Sequence, residues 1–410
     1  INKYYNLFGK FSLNSDVNLS LKDGAIGFYY KGAGASNIVD IPLYLSTIVD
    51  TANGKLSINS DDKSYNIAIE NSGIKLSDLA NISGSGIEFN GSKKAKLLKS
   101  KLVLDIDSNI DKNNTTGDKT YRDLEIGKSG VSILEGITLS GTENDLIGIG
   151  QSYNYNDPAN SYISSENAGI IDLSGNNSIG MYSKRSQLTN TGKISAIGDK
   201  STGMYIKSGT VTNDGEIIIG DSGVGIYGET YLEPSDNPSN SSSSININNT
   251  GKITATAGNK AIGIYGNQNA VAGTNSSGNI SLFTGTEIDM SSSKGGVGIY
   301  SNGISISGLG NTKITVGENG TGLYIKDSNA NFVDLDLNLT GDNSVGVYTD
   351  GSASFGGTGN INIDGKGIVV FNVAGSGTFN ENFTVNSTEE SQYILQNIKD
   401  KILYYNSTVN

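Results

Sequence analysis

The 410-residue sequence has no cysteine, histidine or tryptophan and only 4 prolines. Of its 29 basic side chains only Arg122 and Arg185 are arginines. Each absence closes a class of function. Without histidine there is no Ser-His-Asp or Cys-His nucleophile pair, no imidazole base and no ordinary catalytic zinc site. Without cysteine there are no disulfides, iron–sulfur clusters or zinc knuckles. A net charge of −12 is the wrong sign for phosphate backbones, and two arginines supply few bidentate guanine readers, so nucleic acid is excluded as a partner. The longest apolar runs, such as Gly367-Ile-Val-Val-Phe371, fall far below the roughly 20 residues of a membrane helix, so no membrane insertion by this segment is expected. No cofactor or metal is expected.

What is present is glycine, 55 residues of it, and 35% hydrophobic residues that alternate with polar ones at period 2. That alternation specifies an all-β fold. A unit of small or β-branched residue, Gly, aliphatic, Tyr recurs seven times, with glycines at 180, 203, 225, 263, 298, 322 and 346. The repeat is therefore about 23 residues, and two units carry insertions of about 12 to 15. Each unit holds two further short alternating runs, such as Glu216-Ile-Ile-Ile219 and Thr210-Val-Thr212, and turns such as Asn213-Asp-Gly215. Three strands and three turns per repeat describe a right-handed, three-sided parallel β-helix. Its Gly and Asn corners are expected to supply left-handed backbone.

Parity in the Tyr strand assigns Thr202, Met204 and Ile206 to the core. It turns Gly203, Tyr205 and Lys207 outward, which predicts an exposed ladder of Tyr182, Tyr205, Tyr227, Tyr265, Tyr300, Tyr324 and Tyr348. The expected organisation has three parts. Irregular coils with excursions fill 1–164, and the regular repeat fills 165–386, with loop insertions near 229–244 and 267–278. Residues 387–410 form a cap. There Ser387-Thr-Glu-Glu390 fits a capping box and Ile394, Leu395, Ile398 and Ile402 recur at helical spacing, predicting a short amphipathic helix.

Units such as Asn190-Thr-Gly-Lys-Ile-Ser-Ala-Ile-Gly-Asp-Lys-Ser-Thr-Gly-Met-Tyr205 resemble passenger domains of bacterial type V autotransporters, most closely fusobacterial outer-membrane adhesins. The resemblance is specific between about 165 and 370. The excess of lysine over arginine, with many Asn, Ile and Tyr, fits an AT-rich genome. The resemblance implies a virulence-associated cell-adhesion protein on the bacterial surface, anchored in the outer membrane or secreted. The implied partner is a host cell-surface glycoprotein, immunoglobulin-like receptors among them, or the surface of a partner bacterium. The chain starts at Ile1, so the signal and barrel are expected outside it.

For binding, the segment 151–162 has the composition of a recognition loop, with Tyr153, Tyr155 and Tyr162 among Asn and Ser, and a second excursion contains Tyr231. The tyrosine ladder has two readings, a sugar- or protein-binding face or a cross-coil stabiliser, and a motif present in nearly every coil favours the second. Asp105, Asp107 and Asp111 resemble half a calcium loop without its glycine or twelfth ligand, so no metal is assigned. The run Lys93, Lys94, Lys96, Lys99 and Lys101 reads as a solvated face. Two rivals to the adhesin remain: a passive spacer carrying a distal tip, and a polysaccharide-acting β-helix enzyme using two carboxylates. No carboxylate dyad is identifiable, and no catalytic residue is assigned.

Overall fold

The computed structural model describes residues 10–80, 86–90, 95–111, 124–125, 129–152, 163–231, 242–269, 275–376, 378–388, 390–398 and 408–409. Among these, 65% lie in strands and 4% in two short helices. The chain forms two compact units, residues 1–138 with 161–165, and residues 139–160 with 166–410.

In the second unit each coil contributes three strands to three parallel ladders. Val224–Glu229, Ser242–Asn249 and Lys252–Ala255 are followed one coil later by Ile262–Asn267, Asn275–Leu282 and Thr286–Met290. Tyr227 lies opposite Tyr265, Ile247 opposite Ile280 and Ile253 opposite Ile288. We call the three ladders face 1 (the Gly-x-Tyr strands), face 2 and face 3. The fold is a parallel β-helix.

Inward aliphatics fill the coil. Met204, Ile226, Ile264, Ile299 and Leu323 stack on face 1, Val211, Ile247 and Ile280 on face 2, and Ile217, Ile253 and Ile288 on face 3, all fully buried. Each contributes about 1.5–3 kcal/mol of burial, which only a stack of coils can secure. A buried file of Asn167, Asn190, Asn213 and Asn249 runs along one corner, each Nδ2 donating to the next Oδ1 at 2.7–2.8 Å. These amides, rather than left-handed backbone, are what the Asn-x-Gly turns supply. The glycines that follow, Gly192, Gly215 and Gly251, also have no positive φ. A Cβ on any of them would lie 2.0–2.1 Å from a carbonyl of the preceding coil. Close approach, not backbone freedom, selects glycine there.

The parity expectation needs a second correction. Along 202–207 the pattern is half-buried, buried, buried, half-buried, buried, half-buried. Gly203 therefore points inward, where a Cβ would lie 2.5 Å from Ile217 Cγ2, and Thr202 is not a core residue. Two successive buried positions amount to a local break in alternation, which the bare glycine permits. Downstream of it, Met204 and Ile206 face in and Tyr205 faces out as expected.

Outside, the faces differ. Face 3 carries Lys193, Glu216, Lys252, Glu287 and Lys313 in one register column, with ion pairs of 3.1 Å for Lys193–Glu216, 3.6 Å for Lys252–Glu287 and 3.4 Å for Lys313–Glu287. Face 2 has two outward columns, Gln187, Thr210, Asn246, Asn279 and Ser305, and Thr189, Thr212, Asn248, Ser281, Ser307 and Asn331. Neither column contains a charge.

At the C-terminal end the expected helix is absent over the described residues. Tyr393–Ile398 is a strand paired with Ile368–Val373, Val369 opposite Ile394 and Phe371 opposite Gln396. Helical spacing of Ile394, Leu395 and Ile398 loses to the free edge of the preceding coil, which offers parallel hydrogen bonds to any extended segment. Ile402 lies outside the described residues.

The first unit also stacks parallel strands, with longer and less even steps. Ile26 pairs with Tyr65, Ile67 with Ala95, and Lys101 with Gly130. It holds both helices, Ile41–Ile48 and Leu76–Ala80. The first is capped by Asp40, whose carboxylate accepts from Leu43 N at 2.9 Å, and buries Ile41 and Leu45.

Candidate functional site

In most uninterrupted coils the chain passes from face 1 to face 2 through a left-handed residue, joined after Ser208 by Gly209 (φ 113°). Arg185 (φ 59°), Ser208 (φ 57°), Gly303 (φ 70°), Asp327 (φ 48°) and Gly351 (φ 61°) occupy that corner in five coils. The excursions replace it. Face 1 of one coil ends at Ser152 and the chain re-enters face 2 by Asn167, the first of the asparagine file. Two coils turn tightly at Arg185 and Ser208. The next ends face 1 at Glu229 and resumes at Ser242, and the following one ends at Asn267 and resumes at Asn275. All three excursions thus leave from one edge. They are rooted within four coil steps, about 19 Å at about 4.8 Å each. Neighbouring ladders keep their register across them: Tyr227 still faces Tyr265, and Val211 still faces Ile247.

Tyr153, Tyr155 and Tyr162 lie outside the described residues. Tyr231 is described, at the root of the second excursion. Its backbone N–H lies 2.7 Å from Ser243 Oγ and 2.9 Å from Ser208 Oγ. Over its ring sit two ammonium groups, Lys184 Nζ at 4.9 Å and Lys207 Nζ at 5.2 Å from the centroid. These lysines come from the two tight coils and are adjacent in register. Two neighbouring like charges would repel, and the electron-rich ring face offsets part of that cost.

Glu229 ties the edge to the ladder. It accepts from Tyr205 Oη at 2.7 Å, Tyr227 Oη at 3.3 Å and Asn269 Nδ2 at 2.9 Å, and Lys207 Nζ lies 3.5 Å away. Asn269 N donates to Thr230 Oγ1 at 2.9 Å, so the roots of the second and third excursions are bonded to each other. The roots form a built platform. The repeat hides its key member, because Glu229 occupies the position two after the tyrosine that other copies fill with Lys, Asn or Asp. Only its place at the mouth of an insertion marked it out.

The seven ladder tyrosines are all half-buried and in register. From Tyr227 to Tyr348 the rings stack at 4.7–4.9 Å with interplanar angles of 2–17°. Tyr182, Tyr205 and Tyr227 instead meet edge to face, at 66° and 90°. Interior rings such as Tyr265 and Tyr300 have both faces covered by neighbours, which leaves edges and hydroxyls for solvent. Burial and then Glu229 push the Tyr205 and Tyr227 phenols well above their ordinary range, and burial followed by Asp350 pushes Tyr324 up to about 12.

The remaining candidates have structural partners. Asp105 accepts from Ser77 N at 3.0 Å, and Asp107 from Thr138 N at 2.8 Å. Lys96 Nζ lies 4.9 Å over the Tyr65 ring. Lys93 and Lys94 fall outside the described residues. Among the described residues no cluster of three acidic side chains could hold a metal, and no helix is long and apolar enough to cross a membrane.

Fold and site together define a parallel β-helix bearing a loop-carrying edge on a regular scaffold. Compared with protein families, curated proteins and solved structures, the chain matches none.

Proposed function

We propose that this chain is the passenger segment of a bacterial surface adhesin of the type V autotransporter kind, displayed at the outer membrane or released, and that it engages a host-cell glycoprotein or a partner bacterium through its loop-bearing edge. One observation carries the reading: three insertions of unlike composition leave the same corner within about 19 Å while the coils beneath keep their register. A scaffold that tolerates long insertions at one edge without disturbing its ladders is built to present those insertions. Tyrosine among Asn and Ser in 151–162 gives that edge amphipathic contacts at low entropic cost.

The test is binding of the fluorescently labelled chain to host cells and to bacterial cells. Replacing Tyr153, Tyr155 and Tyr162 together with Ser should reduce cell binding at least about tenfold and leave the melting curve unchanged. Undiminished binding by that variant would remove the first excursion from the receptor surface.

A further inference from the structure

Four side chains from three successive coils meet where the second and third excursions leave the scaffold. Lys207 lies in register with Glu229 and Glu229 with Asn267, and Asn269 follows two residues on. Glu229 bridges the set. Its Oε1 stands 3.5 Å from Lys207 Nζ, and its Oε2 accepts from Asn269 Nδ2 at 2.9 Å, so one carboxylate holds an amine and a side-chain amide together. The amide is gripped at its oxygen as well. Asn269 Oδ1 accepts from Asn267 Nδ2 at 2.8 Å, and Asn267 is fixed in turn because its Oδ1 accepts from Asn302 Nδ2 at 2.9 Å.

These are the parts that acyl transfer from an amide to an amine requires: a nucleophile, a base that can carry its proton to the leaving group, and a donor on the carbonyl oxygen. The surroundings keep much of the water away. The Glu229 side chain is only 12% exposed, and the Lys207 ammonium lies 5.2 Å from the centroid of the Tyr231 ring and 5.5 Å from that of Tyr205. Asn269 itself is exposed, which gives a small leaving group a path out. Further along the same column Lys326 and Asp350 approach to 3.8 Å, but there the carboxylate accepts from the backbone N–H of Gly351 at 2.8 Å, a group with no NH2 to release. Amine, carboxylate and side-chain amide come together at Glu229.

We propose that Lys207 and Asn269 join in an isopeptide bond that the chain forms by itself, with Glu229 as the proton carrier. Glu229 takes a proton from the Lys207 ammonium, and the lone pair so freed on Nζ attacks Asn269 Cγ. The negative charge that develops on Oδ1 meets the Asn267 N–H already pointed at it. Glu229 then hands its proton to Nδ2, the Cγ–Nδ2 bond breaks, and Nζ sheds its second proton as the new amide forms. In sum one lysine ammonium and one asparagine amide become one secondary amide and one ammonium ion, and no oxidant or cofactor is consumed. The product is a covalent staple between the coil that turns at Ser208 and the root of the third excursion, and it stands whatever the edge binds.

Intact-mass spectrometry of the full chain reads the bond as a loss of about 17 Da, one ammonia, from the mass that the sequence dictates. Trypsin does not cut after an acylated lysine, so the digest should contain residues 201–252 uncut at Lys207 and joined to residues 261–294. Lys207→Arg keeps the charge beside Glu229, and Glu229→Gln keeps the shape of the carboxylate without its proton transfer. Each should restore the full mass and release the two peptides separately, while a β circular dichroism spectrum verifies that the fold is kept. A folded wild type at full mass whose Lys207 is cut by trypsin overturns the proposal. So does a loss of about 17 Da that persists in Lys207→Arg, which places the lost ammonia elsewhere, or a Lys207–Asn269 bond that forms equally well in Glu229→Gln.

Discussion

Gly203 is confined by space rather than by backbone conformation. A side chain there would meet Ile217 Cγ2 at 2.5 Å and the Gly225 carbonyl at 2.6 Å, and Gly263 is hemmed in equally by Ile288 and Gly298. Gly203→Val should therefore destabilise the fold by about 2–4 kcal/mol, read as a lower denaturant midpoint. Asn213 accepts from Asn190 and donates to Asn249, both buried. Asn213→Ala strips two amides of a partner and should cost about 2–4 kcal/mol, whereas Asn246→Ala on the outer side of face 2 should cost almost nothing. Sequence periodicity locates both residues but misassigns their roles. Parity turns Gly203 outward and an Asn at a turn suggests left-handed backbone, and nothing in one repeat reveals that the next coil's carbonyl will press on the glycine or the next coil's amide will meet the asparagine. Left-handed corners do fall to Asn177, Asn319, Asn343, Gly303 and Gly351, as that signal suggests, but also to Arg185, Lys200 and Ser208, residue types that carry none.

At the scale of elements, the tyrosine column is read directly from the repeat, because identical spacing places identical residues in register. The stacking angle is not readable, since it depends on what the neighbours' hydroxyls find: Tyr205, whose hydroxyl donates to Glu229, stands edge-on to Tyr227, while Tyr227 still stacks on Tyr265. Tyr265→Ser removes a ring stacked on both faces and should lower stability by about 1–3 kcal/mol with little change in cell binding. The phenols also set a pH dependence. Tyr205, Tyr227, Tyr265 and Tyr324 all titrate above the ordinary value of 10 in the folded chain, burial being the first cause in each. A raised folded pKa favours the protonated form in the fold, so this stabilisation is complete below pH 10. It is lost as pH rises through the folded values, from 10 towards about 12 for Tyr324. Phenolate absorbance should thus lag that of the denatured chain in this window, and coincident titration curves would contradict the buried ladder. The terminal strand Tyr393–Ile398 and the helix Ile41–Ile48 mark the opposite limit of legibility. The first reads as a helix until a pairing edge is available. The second announces itself only by Asp40 before Ile41-Pro42 in a stretch otherwise patterned for strands.

For the whole molecule, the solenoid follows from the sequence because each coil repeats the same instructions, and the insertions are visible as lengthened steps. Their convergence on one edge is not visible, since assigning each to the face 1–face 2 corner requires knowing which strand each interruption follows. That convergence is the core of the functional account, and the neighbouring coils supply its control. Ser208 and Gly209 turn the same corner with no excursion. Replacing all three excursions, 153–164, 230–241 and 268–274, by Ser-Gly turns of that type should preserve a β circular dichroism spectrum and a cooperative melt, because the ladders on either side already pair in register. Cell binding by this trimmed chain is the most direct measurement. The account predicts a folded β-helix that no longer binds host or bacterial cells, and a trimmed chain that binds as well as the wild type would contradict it.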